Sequence, residues 1–275
     1  MALSVAIFII VVASVIGVVA ILLLRRVAPD GSFFDNHDRA AGMFGVLGTV
    51  FAILIGFIIL FAFDSHSTAR NAASTEASTV LDAFETAELF GPPGQDLQAD
   101  LICYSRAVIH DGWKQMQDAN PSVIVEDWNR RLDITTNALP TNTNKQDDGF
   151  QQLLDARGKR DEARRIRLQE AGHTIPAIIW VAVILACLAP FAFAVFFADP
   201  KEKWWIQALG MGLVTALTVA AFLAVYSLDD PFSGGEGSIP PGDMRTTLGV
   251  IQHAARLDHP NLEIPCTATG IPLRV

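Results

Sequence analysis

The chain has 275 residues, 51% of them hydrophobic, and a formal net charge of −9. Nucleic acid is excluded as a natural partner, because no basic stripe is present to neutralise phosphates. The hydrophobic residues fall in continuous runs rather than on amphipathic faces around a soluble core, so lipid is the medium the sequence points to.

Four such runs are Leu3 to Leu24, Gly42 to Phe63, Ile175 to Phe197 and Trp205 to Leu228. Each has the length needed to cross a hydrocarbon core of ~30 Å. None contains Asp, Glu, Lys, Arg or His. The predicted fold is all-α: an integral membrane protein with four transmembrane helices and an α-helical extramembrane lobe between the second and third. The expected organisation is residues 1–63 as a first transmembrane pair and 64–173 as the lobe, then 174–228 as a second pair. Residues 229–275 form an acidic Gly/Pro turn and tail.

The first run lacks a basic leading segment, is long for a signal peptide and is followed at once by Arg25 and Arg26, so it is expected to be a retained span. No internal repeat relates the two halves. After the second span, Val80, Leu81, Phe84, Ala87 and Leu89 supply a helical face, predicting that the membrane helix continues outward to Phe90. Gly91-Pro92-Pro93-Gly94 stops it. A second lobe helix is expected over Gln95 to Gln117, and a third from Val123 carrying Trp128 and Leu132. Thr135 to Gly149, rich in Asn, Thr and Asp, reads as a flexible loop. Helix is expected again from Phe150 through the charged stretch Arg157 to Arg167, and after the last span from Asp243 to Arg256.

Small residues spaced by four mark close helix contacts in lipid. The second span carries Gly48, Ala52 and Gly56; the third carries Ala182, Ala186, Ala194 and Ala198; the fourth carries Ala208, Gly212, Ala216, Ala220 and Ala224. Packing within one chain is the first expectation for these ridges, and assembly of subunits the second. Opposite its ridge the second span presents Phe44, Phe51, Ile55 and Ile58, candidates to line a pore whose hydrophobic constriction gates by dewetting. The alternative is a lipid-facing surface. Proton-coupled transport is disfavoured, since it calls for ionisable groups inside the spans.

Asp229 and Asp230 fall at the C-terminal end of the last span, where the helix dipole disfavours carboxylates. A divalent cation such as calcium would compensate, with Glu236 and Asp243 adding oxygen ligands, although the spacing matches no EF-hand. Hydrated surface acids with a turn before Pro231 are the competing reading. No other cofactor is expected.

The segment Leu228-Asp229-Asp230-Pro231-Phe232-Ser233-Gly234 resembles the signature of the bestrophin-like membrane family. Other positions agree in order: Glu76-Ala77, Tyr104, Trp113, Arg164, Arg167-Leu168, Pro176 and Trp180. The resemblance covers residues 42 to 250 and implies a multi-pass membrane protein that assembles as a homo-oligomer. True bestrophins are pentameric chloride or cation channels, but this chain has Ser233 before its glycine, and its second span lacks a clear copy of their pore-neck sequence. Selectivity and gating are therefore not carried across.

The short connectors hold Arg25, Arg26, Arg39, Lys201 and Lys203, which by the positive-inside rule places them in the cytoplasm and the lobe outside. A bestrophin-like arrangement puts the lobe inside instead. Of three cysteines, Cys187 lies in a span, and a Cys103 to Cys266 bridge requires an oxidising side. An oligomeric passive ion channel is the leading functional reading. The alternative is a sensory or scaffolding protein whose lobe binds a ligand or partner. Enzymatic activity is not expected: no phosphate loop, nucleophile elbow or metal-spaced His or Cys pair occurs, and the six histidines are scattered. His66 and His173 at the membrane surface are candidates for pH sensing.

Overall fold

The computed structural model describes residues 2–29, 33–34, 36–118, 120–172, 175–235 and 237–273. Among them run nine α-helices: α1 (Leu3–Leu24), α2 (His37–Ala87), α3 (Pro92–Ala107), α4 (Trp113–Met116), α5 (Val123–Asn137), α6 (Asn144–Gln169), α7 (Ala177–Val195), α8 (Trp204–Leu228) and α9 (Gly242–Asp258). A π-helical turn, Val108–Gly112, joins α3 to α4. The only extended pairing among the described residues is the bridge between Cys266 and Pro272. The chain divides into two compact units. The first comprises Met1–Asp64, His173–Asp230 and Gly235–Gly237; the second comprises Ser65–Gly172, Pro231–Gly234 and Ser238–Val275.

Among the described residues four helices are long and apolar enough to cross a membrane, and the first unit holds α1, α7, α8 and α2 as far as Asp64. Inside it α1 lies against α8 at glycine contacts: a Cβ at Gly17 would come within 2.5 Å of Thr215 Oγ1, and one at Gly212 within 3.4 Å of Val18. Such close approach is how helices gain packing energy where lipid offers no hydrophobic drive. Thr215 gives its hydroxyl proton back to Met211 O at 2.8 Å, leaving no unsatisfied donor in the contact. Ile55 of α2 packs with Val183 and Cys187 of α7, and Ala62 with Ile175 and Val225. Beside the connectors, Phe44 stacks on Phe193 with ring centroids 5.8 Å apart. Arg25 donates to the carbonyls of Pro200 and Glu202, tying the two short connectors together.

The second unit is the lobe, with a hydrophobic core that includes Val80, Phe84, Leu97, Leu101, Trp128, Leu132 and Ile251. Proline at the first turn of α3 needs no amide partner there. Gly94 is required by close approach, since a Cβ would sit 1.9 Å from Ala87 O. The expected loop Thr135 to Gly149 is largely helical, which corrects the composition-based reading. α5 persists through Asn137, and α6 starts at Asn144 because Thr143 caps it, its hydroxyl oxygen accepting from Gln146 N at 3.2 Å. Gln146 Oε1 in turn accepts from Asn142 N at 3.2 Å. Polar composition suits a solvent-facing first turn as well as a loop.

Candidate functional site

α6 is the helix whose charge conceals its burial. Its buried stripe is Leu153, Ala156, Arg160, Ala163 and Arg167, an apolar 3.6-residue periodicity into which two arginines are set. Arg167 reaches the carboxylate of Glu76 on α2 through two bonds, Nε to Oε2 at 2.5 Å and Nη2 to Oε1 at 3.0 Å. Both side chains are essentially sealed from solvent, at 2% and 0% exposure. Tyr104 OH on α3 donates to the same Glu76 Oε1 at 2.6 Å. The guanidinium of Arg167 lies 4.9 Å from the Trp113 ring centroid, and that of Arg160 lies 5.5 Å from the Tyr104 ring. A buried bidentate pair with extra donors is the geometry that lets Coulomb attraction offset desolvation. Burial, and then the adjacent Glu76 charge, push the Tyr104 phenol well above its usual range, so it stays a donor.

Other arginines of the charged stretch are also paired. Arg157 Nε contacts Asp133 at 2.7 Å and Arg164 Nη2 contacts Glu126 at 2.6 Å, both bonds running from α6 to α5. Asp100 on α3 meets Arg131 Nε at 2.9 Å and accepts from Thr135 Oγ1 at 2.7 Å. Burial raises its pKa, and the bonds from Thr135 and Arg131 only partly oppose this. Both Glu76 oxygens accept from Arg167 or Tyr104, so the cluster ties α2, α3 and α6 together as a lock between helices.

In the acidic turn, Asp229 is engaged by protein donors. Asp229 is buried at the end of α8; its Oδ1 accepts from Ile175 N at 2.8 Å and its Oδ2 from Trp180 Nε1 at 3.4 Å. The unfavourable field at the end of α8 is thereby met by donors at the N-terminal end of α7. Asp230 is half-buried and Asp243 lies in the first turn of α9, while Glu236 is outside the described residues. Among the described residues no group of three or more His, Cys, Asp or Glu is placed to hold a metal ion. His173 also lies outside the described residues.

The second span reverses the expected faces. Phe51, Ile55 and Ile58 pack against α7 and α8 residues including Ile179, Trp180 and Phe222, and Phe44 against Phe193. They are bundle contacts and not an open stripe. A Cβ placed on Gly48 or Gly56 would meet nothing within 4 Å, and Ala52 is exposed, so this ridge does not serve packing within the chain. On the fourth span, Ala208, Gly212, Ala216 and Ala220 are half-buried, with Gly212 against α1. On the third, α7 buries Val183, Cys187 and Pro190; of the expected ridge Ala198 is buried, Ala186 and Ala194 are half-buried and Ala182 is exposed.

Sequence reasoning missed the Glu76–Arg167 pair. Both residues stood out individually, but a partner 91 positions away in sequence leaves no local signature. The structure also contains a Cys103–Cys266 disulfide, with Cα atoms 5.8 Å apart. It fixes the tail to α3. There Trp128 Nε1 donates to Gly270 O at 2.7 Å, and Trp113 Nε1 donates to Ile239 O at 2.9 Å.

A family model described as Bestrophin-like domain matches residues 11–237. No curated protein matches the chain. Among solved structures, a crystal structure of a bacterial bestrophin homologue from Klebsiella pneumoniae, carrying one mutation, aligns with a TM-score of 0.63 at 14% identity. That alignment covers 90% of this chain and 98% of the homologue. Another structure of the Klebsiella pneumoniae homologue aligns with a TM-score of 0.59 at 15% identity, covering 93% and 98%. At these identities the likeness is one of fold.

Proposed function

The chain belongs to the bestrophin-like family, and from that premise we propose that several copies assemble around the second span to form a passive ion pathway. The uncovered face of α2 carries this reading. Val46, Val50, Ile53, Phe57 and Leu60 recur at helical spacing and are 67%, 62%, 56%, 69% and 65% exposed. No charge interrupts the stripe, and Gly45, Gly48 and Gly56 beside it have open space around them. A surface meant only for lipid has no need of glycines, whereas small residues let a second backbone approach. The large residues then form a wall that dewets when narrow. Phe57, the most exposed of them, is the expected constriction.

Two arms test this. In nanodiscs the particle mass should be a multiple of the chain, and in planar bilayers the protein should conduct, with Phe57→Ala raising current severalfold. A monomer with no conductance refutes the proposal.

The orientation that fits best has the lobe on the outer, oxidising side of the cell membrane. The disulfide lies within the lobe, and such bonds persist in oxidising compartments. The basic residues of the short connectors favour the same arrangement. A C-terminal alkaline phosphatase fusion should be active and a fluorescent-protein fusion dark; the opposite pattern would reverse the assignment.

A further inference from the structure

Within the lobe, α3, α9 and the following segment enclose a cleft of about 200 Å³ that neither the ion pair nor the spans account for. Ile102, Leu262 and Ile264 form its apolar walls, and its polar groups are Arg106, Gln252, Arg256 and His259. No Asp or Glu lines it, although the chain carries a net charge of −9.

Arg106 is half-buried with only neutral protein partners. Its Nη1 donates to Thr267 O at 3.2 Å, and with the Gln252 amide turned to accept, Nη2 and Nε donate to that oxygen at 3.0 and 3.2 Å. Among the described residues neither Arg106 nor Arg256 makes an ion pair, in contrast to the paired arginines of α6. Burial lowers the proton affinity of Arg106, the mark of a cation desolvated without a counter-charge. Arg256 is exposed at the rim, where its Nε donates to the Gln252 backbone oxygen at 3.1 Å. The Gln95 amide lies 3.3 Å from His259 Nδ1, which fixes the ring and leaves its Nε2 without a partner among the bonds described.

We propose that this cleft binds a small organic carboxylate, its apolar body against Ile102, Leu262 and Ile264 and its charged end toward Arg106 and Arg256. Planar guanidinium groups match carboxylates, and apolar walls with a few convergent polar groups are the general form of a small-molecule site. The volume is below the ~300 Å³ at which drug-sized ligands begin to fit, which limits the ligand to a compact metabolite. The disulfide at Cys266 and the bond from Arg106 to Thr267 hold the segment that forms one wall, so the site is built by the folded tail. This assignment does not depend on ion conduction.

Calorimetry on the full chain in nanodiscs tests it, with benzoate as the probe, benzyl alcohol as its neutral analogue and inorganic phosphate as a compact anion. Benzoate should bind saturably, one per chain, and at least about tenfold more tightly than either comparison compound, a gap of about 1.4 kcal/mol or more. Arg106→Gln should weaken benzoate about tenfold or more, and Arg256→Gln, at an exposed position where folding is not at stake, severalfold. Absence of saturable binding, or benzyl alcohol or phosphate matching benzoate, overturns the proposal. So does unchanged affinity in Arg256→Gln, which decides the matter if Arg106→Gln fails to fold.

Discussion

Removing one member of the Glu76–Arg167 pair tests how the lobe is held. With exposures of 0% and 2%, no water can replace the lost partner. Glu76→Gln strands a buried guanidinium, and Arg167→Met strands a buried carboxylate still held by Tyr104. Breaking such a pair costs about 3–5 kcal/mol, whereas removing both charges is often close to neutral. Each single variant should therefore lower the melting temperature by on the order of 10 °C, at roughly 2–4 °C per kcal/mol for a unit of this size. The double variant should cost less than the two singles together by about 2 kcal/mol or more. The assay is thermal unfolding of the full chain in detergent followed by tryptophan fluorescence, since Trp113 lies against Arg167. Single variants within about 1 kcal/mol of wild type, or strictly additive costs, would refute the assignment of the pair as the central lock.

Three further outcomes are expected. Denatured, unreduced protein should label at Cys187 alone, and Cys103→Ser should cost about 2–5 kcal/mol, because the bridge closes a loop across 163 positions; labelling of all three thiols would contradict the bridge. Gly270 has φ +82° and a Cβ there would lie 2.3 Å from Ala107 N, so Gly270→Ala should destabilise by about 2 kcal/mol or more and expose the tail to protease. For Asp100 burial raises the folded-state pKa above 3.8, so its stabilising contribution is full at low pH and is lost as pH rises through the folded value. Asp100→Asn should therefore remove a rise in stability on acidification above pH 3.8 that the wild type shows; melting curves of the two proteins against pH that stay parallel would count against this.

The membrane architecture was legible because four uncharged runs have no other stable home, and the outward continuation of α2 followed from its apolar periodicity. The lobe was harder to read. Residues 144–149 looked like loop because Asn, Lys and Asp suit both a turn and a capped, solvent-facing first turn; only Thr143 at the cap decides between them. Nothing local in the charged stretch marks Arg160 and Arg167 as buried, because burial of an arginine depends on a carboxylate brought by another helix. The faces of α2 were inverted for a related reason. Large residues were assigned to the free side and small ones to the packed side, yet α7 and α8 fill around Phe51, Ile55 and Ile58 while the glycines remain uncovered. The bond from Ile175 N to Asp229 has no local signature in the sequence, because the N-terminal end of α7, 54 positions earlier, is invisible from the neighbourhood of Asp229.

The two lobe indoles donate to carbonyls at positions 239 and 270, beyond the fourth span. During synthesis, residues 65–172 therefore emerge long before the groups that satisfy Trp113 and Trp128. A ribosome must complete two more membrane crossings before the lobe can close. A premature stop codon just after the fourth span would remove both acceptors and leave Cys103 without its partner. Such a truncated product should enter the bilayer normally yet be cleared by quality-control proteases, a fate set by timing along the message and not by the greasy segments themselves.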